Sequence, residues 1–228
     1  MGEDVKRRYR SELRAAQADT TRRAIVRAAS QLFISTGFGA TTLDAVAAEA
    51  GVSRKTVFAA VGSKVDILRL AIEWAIAGDD EPVPLQDRPE IFGLLSVDDP
   101  VALLGGWASI LVDIDTRVAG LWRALDVAAE VDPQARELQS TLSGQRLTSA
   151  RVVVDRLVEL GALRKKLSHA EARDIAWLAG DPVLFDRLVD QRRWPARRFE
   201  RWLADHLVSE LLDQAPRRAH PKNAAASS

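Results

Sequence analysis

The chain has no cysteine, which excludes disulfide scaffolds, cysteine metal sites, thiol nucleophiles and thiol redox sensing together. No uncharged apolar run approaches the roughly 18 residues that a membrane span needs. The charged N-terminus also lacks the apolar core of a signal peptide, so no membrane partner and a cytoplasmic location are expected. Histidine is scarce: His169 begins a predicted helix, His206 lies on an apolar seam and His220 sits in the tail. No two of them share a metal-ligand spacing. Phosphate-binding glycine loops and His-Glu-x-x-His runs are missing. A Ser/His/Asp triad is left open by spacing alone, but nothing points to one, so the expectation is a protein that is not an enzyme and has no metal or cofactor. Strand-like alternation and fixed-period repeats are absent too, and the apolar patterns have helical spacing. An all-α fold follows.

Net charge is absent only on average, since 32 basic residues balance 32 acidic ones. Residues 1–68 carry 11 Lys or Arg against 7 Asp or Glu, whereas the remaining 160 carry 21 against 25. The basic excess therefore gathers in the first third, as contact with phosphates requires. A chain of 228 residues is long enough for a substantial core, as one helical domain or as a small domain on a larger one.

The most informative stretch within that third is TTLDAVAAEAGVSRKTVFAAVGSK, residues 41–64. Leu43, Val46, Ala47 and Ala50 fall at i, i+3, i+4 and i+7, one face of a short helix. Thr41 with Asp44 predicts a capping box at its start, and Gly51 a turn at its end. Ser53 is placed to cap a second helix whose first turn carries Arg54, Lys55 and Thr56, with Val57 and Val61 facing inward. This is the pattern of a helix-turn-helix, in which the start of the second helix meets base edges in the major groove.

From here the chain resembles the tetracycline-repressor-like (TetR/AcrR) family of transcription regulators. Upstream, TRRAIVRAASQLFISTGFGATTL is similar to the family's first helix and its Gly-aromatic-x-x-Thr-Thr approach, with Gly37, Phe38, Thr41 and Thr42 in those places. Downstream, residues 62–68 are similar to its Ser-Lys-x-x-Leu-Leu start of a connecting helix. The resemblance implies that Thr42, Arg54, Lys55, Thr56, Phe58 and Lys64 face DNA; with Thr41 and Ser53 these make the expected DNA-binding set. Phe58 departs from the usual tyrosine and lacks its phosphate-seeking hydroxyl, Ala59 and Ala60 replace positions that are often polar, and Lys55 replaces a small residue. Contacts are expected to shift toward the helix start.

The remaining organisation is read as follows. Residues 1–19, with Lys6, Arg7, Arg8, Arg10 and Arg14, form either a basic arm that tracks phosphates or enters a minor groove, or a solvated terminus. Residues 20–66 form a three-helix head, in which Ile25, Ala28, Ala29, Leu32 and Phe33 give the first helix its buried stripe. A connecting helix spans residues 63–77, and Gly78 to Pro84 break it. Residues 82–100 carry four prolines and are expected to hold at most a short helix. Helices are then expected over 101–131, 133–160, 169–189 and 196–214, with Ser168 and Glu171 boxing the third. Residues 67–214 would thus be a larger helical domain for ligand binding and dimerisation, and residues 215–228 a disordered tail.

The last two helices are also similar to the family's C-terminal pair. Ala172, Ile175, Ala176 and Ala179 make one narrow seam, and Phe199, Trp202, Leu203, His206 and Leu207 another; paired seams suit a two-fold four-helix interface or an ordinary core. An apolar or aromatic effector is expected among Trp107, Ile110, Leu111, Asp113, Ile114, Trp122, Arg146 and Trp177, though the same spacing also suits packing. The functional expectation is a homodimeric repressor that binds a palindromic double-stranded operator and is released by a small molecule. The alternative is a helical binding or interaction protein without specific DNA contact.

Overall fold

The computed structural model describes residues 2–81 and 87–213, with side chains from residue 13 onward. Ten α-helices and no strand are found among these residues. None of the helices is long and apolar enough to cross a membrane.

The N-terminal part consists of α1 (Gly2–Thr36), α2 (Leu43–Glu49), α3 (Arg54–Ala60) and α4 (Lys64–Ala77). Ile25, Val26, Ala29 and Phe33 of α1 pack with Val46, Ala47, Val57, Ile67 and Leu68 in one apolar cluster. The Phe33 ring stacks on Phe38 with centroids 5.7 Å apart. Burying each of the larger of these side chains, such as Phe33, Ile67 or Leu68, contributes about 1.5–3 kcal/mol.

Polar groups fix the turns. Ser53 caps α3 by accepting from the Thr56 N–H, and Ser63 with Asp66 forms a reciprocal capping box on α4. Gly51 and Gly62 take φ of +67° and +117°. A Cβ on Gly62 would also lie 2.6 Å from Asp66 Oδ2, the oxygen that accepts from the Ser63 N–H and Oγ at 2.9 and 2.8 Å. The predicted Thr41 box on α2 is not formed. Thr42 is the cap, accepting from the Ala45 N–H, while Thr41 is buried and donates to the Gly37 carbonyl at 2.8 Å.

α1 passes position 19 without a break, so the basic segment is a helical extension over the described residues 2–19. A helix about 10–12 Å across does not enter a minor groove about 6 Å wide as an extended arm does.

The body contains α5 (Pro89–Leu95), α6 (Pro100–Val131), α7 (Pro133–Glu159), α8 (His169–Ala179), α9 (Pro182–Phe185), a π turn over Asp186–Gln191, and α10 (Ala196–Leu211). Proline opens α5, α6, α7 and α9, where its missing N–H costs nothing. The single helix expected over 169–189 is divided. Pro182 cannot continue a helix, and Asp181 instead caps a new turn by accepting from the Val183 N–H. Gln214 and the tail beyond it lie outside the described residues.

The seams expected between subunits are largely the core of one chain. Ala172, Ala176, Phe199, Leu203 and Leu207 have no exposed surface and Ala179 has 2 %. They pack with Leu103, Leu104 and Trp107 of α6 in a second cluster. A side chain that its own chain already covers cannot meet a partner. Ile175, Trp202 and His206 stay partly exposed, and His206 stacks on Trp202.

Candidate functional site

α2 and α3 meet across the Gly51 turn, and Val57, with no exposed surface, anchors α3 in the head. That anchor turns Arg54, Lys55 and Phe58 outward. Phe58 is 65 % exposed, a large apolar ring with no cover from its own chain and chemically suited to a thymine methyl. Arg54 Nη1 lies 3.1 Å from Asp44 Oδ2, both side chains well exposed. Such a surface pair is worth little and leaves the guanidinium able to exchange partners. Ser53 and Thr56 share a hydroxyl contact of 2.8 Å, and Thr42 is exposed beside them.

Two members of the expected set are engaged within the head. Thr41 is 2 % exposed and cannot reach a groove. Lys64 Nζ donates to the carbonyls of Phe38 at 2.8 Å and Thr41 at 3.0 Å and sits 4.1 Å from the Phe38 ring centroid. Burial pulls its pKa below the usual lysine value, against an opposing pull from Asp132. Lys64 thus braces α4 against the segment entering α2 with two of its three N–H donors, which leaves one for the phosphate contact expected of it.

The body holds a cavity of about 480 Å³ between α6, α7 and the α8–α9 turn. Of the eight residues expected to bind an effector, Trp122, Arg146 and Trp177 come together there. The Arg146 guanidinium carbon is 4.9 Å from the Trp177 centroid and 5.3 Å from that of Trp122. Its Nη2 donates to Asp181 Oδ2 at 2.9 Å, while Nε and Nη1 are buried without a partner.

The other five are placed differently because α6 is covered on several sides. Trp107, Ile110 and Leu111 pack in or against the second cluster, and Ile114 packs against the first. Asp113 is exposed and binds Arg117 at 2.5 Å.

Sequence reasoning passed over two acidic groups that line this cavity and a third, Asp115, buried behind its wall. Asp126 accepts from Gln139 Nε2 at 2.8 Å, Asp181 holds Arg146, and Asp115 is 2 % exposed with Oδ2 unpartnered. Burial, with the charge of Asp181, pushes the Asp115 carboxyl up to about 8 against the opposing pull of Arg146. Burial likewise raises Asp126, against its hydrogen bond from Gln139. The signal was present in the sequence: Asp115, Trp122 and Asp126 fall at i, i+7 and i+11, one face of a helix with few charges.

A physical link joins pocket and head. Arg117, on α6 two residues from Asp115, donates to the carbonyls of Ala75 at 2.7 Å and Ile76 at 3.4 Å. These belong to the last turn of α4, which Gly78 ends at φ +86°. No group of three or more potential metal ligands occurs among the described residues.

Comparison with known proteins agrees with this geometry. Residues 25–71 match the family model described as bacterial regulatory proteins, tetR family. The HTH-type transcriptional regulator SrpR of Pseudomonas putida is 26 % identical over 161 residues, 68 % of this chain and 63 % of that relative. This chain thus spans less than two thirds of SrpR. NalD of Pseudomonas aeruginosa, described as the secondary repressor of the MexAB-OprM multidrug efflux pump, superimposes with a TM-score of 0.61 at 19 % identity, covering 86 % of this chain and 98 % of NalD. SmeT, solved in complex with triclosan, gives a TM-score of 0.64 at 21 % identity, covering 85 % of this chain and 92 % of SmeT. The matched head, the relatives and the shared all-helical architecture point the same way: residues 25–71 are those of the tetR family of bacterial regulatory proteins, and the rest of the chain is similar to its members in fold.

Proposed function

We propose that this protein is a homodimeric transcriptional repressor that binds a near-palindromic double-stranded operator through α3 and leaves it when a small molecule occupies the body cavity. The observation that carries the reading is α3 itself, anchored by Val57 and presenting Arg54, Lys55 and the exposed Phe58 on one outward surface. The named relatives support it, because NalD is described as a repressor and SmeT is solved with a small molecule. Heads held about 34–36 Å apart in a dimer meet successive major grooves.

The dimer contact is drawn on the outer faces of α8 and α10. Leu178 is 57 % exposed there, beside the partly exposed Ile175, Ala204 and Val208. Release is a population shift, in which the ligand favours a conformation whose heads miss the groove spacing. Moving the balance from 1:99 to 99:1 takes about 5.5 kcal/mol of differential binding. α6 carries both the pocket residues Trp122 and Asp126 and the Arg117 cap on α4, so a shift of α6 reaches the head through those hydrogen bonds.

The test is binding to a DNA fragment from upstream of the protein's own coding sequence across a salt series. A preference over random DNA, with affinity falling steeply as salt rises, supports the reading; no preference at any salt overturns it. Arg54→Ala should cost about 1–3 kcal/mol and relax base choice, measured against operator variants.

A further inference from the structure

The indole rings of Trp122 and Trp177 hold a flat, delocalised cation, the guanidinium of Arg146. The fit is incomplete, because Nε and Nη1 are buried without acceptors while only Nη2 reaches Asp181. Around this one buried cation stand three carboxyl groups: Asp126 and Asp181 on the cavity wall and the buried Asp115 beside them. The other basic residue of the wall, Arg136, is exposed at the rim. A cation that takes the place of Arg146 keeps Asp126 and Asp181 balanced, whereas an anion there would leave both carboxyl groups without a counter-charge. A volume of about 480 Å³ accommodates a two-ring scaffold.

We propose that the cavity takes an organic cation with a flat charged group, an amidinium or guanidinium on an aromatic scaffold, which enters between Trp122 and Trp177 and displaces the Arg146 side chain toward the rim. The assignment rests on the effector reading above and names the chemical class of that effector. Arg146 then acts as an internal competitor, occupying the cage while no ligand is present.

The experiment is calorimetric titration of the full chain with three probes of one shape: 2-naphthamidinium, 2-naphthamide and 2-naphthoate. The expected result is amidinium affinity at least about tenfold above both others. Trp177→Leu should weaken amidinium binding about tenfold. Arg146→Met should tighten it by removing the competitor. Should that variant not fold, Asp126→Asn replaces it and should weaken the amidinium while leaving the amide unchanged.

Preference for naphthoate or naphthamide, equal affinities, or no binding by any probe overturns the proposal, as does weaker amidinium binding in Arg146→Met. A parallel gel-shift separates this from the effector reading. Amidinium that binds without freeing the DNA leaves the cation assignment standing and sinks the effector role, and naphthoate that binds and frees the DNA does the reverse.

Discussion

Head and body treat buried polar groups in opposite ways. Within the head, Thr41, Lys64 and Asp66 each end on a defined partner, and no buried polar side-chain atom of the described residues 13–81 lacks one. The body leaves Asp115 Oδ2 and two Arg146 nitrogens unsatisfied in its interior. A fully paired network specifies one geometry, which suits a surface that must match the spacing of base edges. A partly paired one is costly until something completes it, which suits a site awaiting a ligand. The two parts nevertheless share one apolar cluster, since Val118, Leu121 and Leu125 of α6 pack with Phe33 and Leu68. The fully paired head and the partly paired body are thus mechanically joined.

The strongest way to sharpen that comparison is pH. Asp115 is raised in the folded state, so the folded chain holds a proton that the unfolded chain releases above about 4. Its contribution is greatest below the unfolded value and is lost as pH climbs from about 4 to about 8. Asp115→Asn should remove this dependence, with the stability difference from wild type changing by up to about 1.4 kcal/mol per pH unit across that window. Urea unfolding at several pH values reads it, and parallel curves would mean that Asp115 is not held neutral in the fold.

Next in size, Phe33→Ala should cost about 3–5 kcal/mol. The shared cluster predicts that tryptophan fluorescence, which arises mainly in the body because only Trp74 lies on α4, moves in the same transition as the helicity of the whole chain. Two separated transitions would break the idea of joined parts.

Lys64→Ala comes third, with a loss of about 1.5–3 kcal/mol in folding stability for a charged donor to two carbonyls and weaker binding to all DNA sequences alike. Unchanged thermal stability, together with a salt slope reduced by about one, would instead return Lys64 to a phosphate contact.

Smallest is Phe58→Tyr. If α3 approaches the backbone as proposed, the restored hydroxyl should add about 0.5–1.5 kcal/mol to DNA affinity without altering base preference. Competition binding against wild type measures it, and a sequence-dependent change would argue for a base contact at this position.

Much of the head was legible in advance because its signals are local. Ser53, Ser63 and Gly51 announce their caps and turn within a few residues, and Ser168 with Glu171 does the same for α8. Where two neighbours compete, locality fails. Thr41 and Thr42 are chemically alike, and only the packing of Thr41 against the α1 end assigns the cap to Thr42. At residues 180–182 the Gly-Asp-Pro signal was available and was overridden by the apolar period on either side. The candidate pocket was half legible. Trp122, Arg146 and Trp177 lie on three different helices, and nothing in their spacing says that the rings flank the guanidinium.

By itself the sequence determined the helical class, most helix boundaries, α3 with its outward Arg54, Lys55 and Phe58, and the residues that must be buried, because caps, prolines and apolar periods act between near neighbours. Tertiary structure alone decided what buries them and what the charges meet. An apolar stripe demands cover without naming it, so Ala172, Phe199 and Leu203 became one chain's core and not a seam between two. A charged side chain demands a partner without naming it either. Lys64 found backbone carbonyls at distant positions, and Arg146 found two indoles and Asp181.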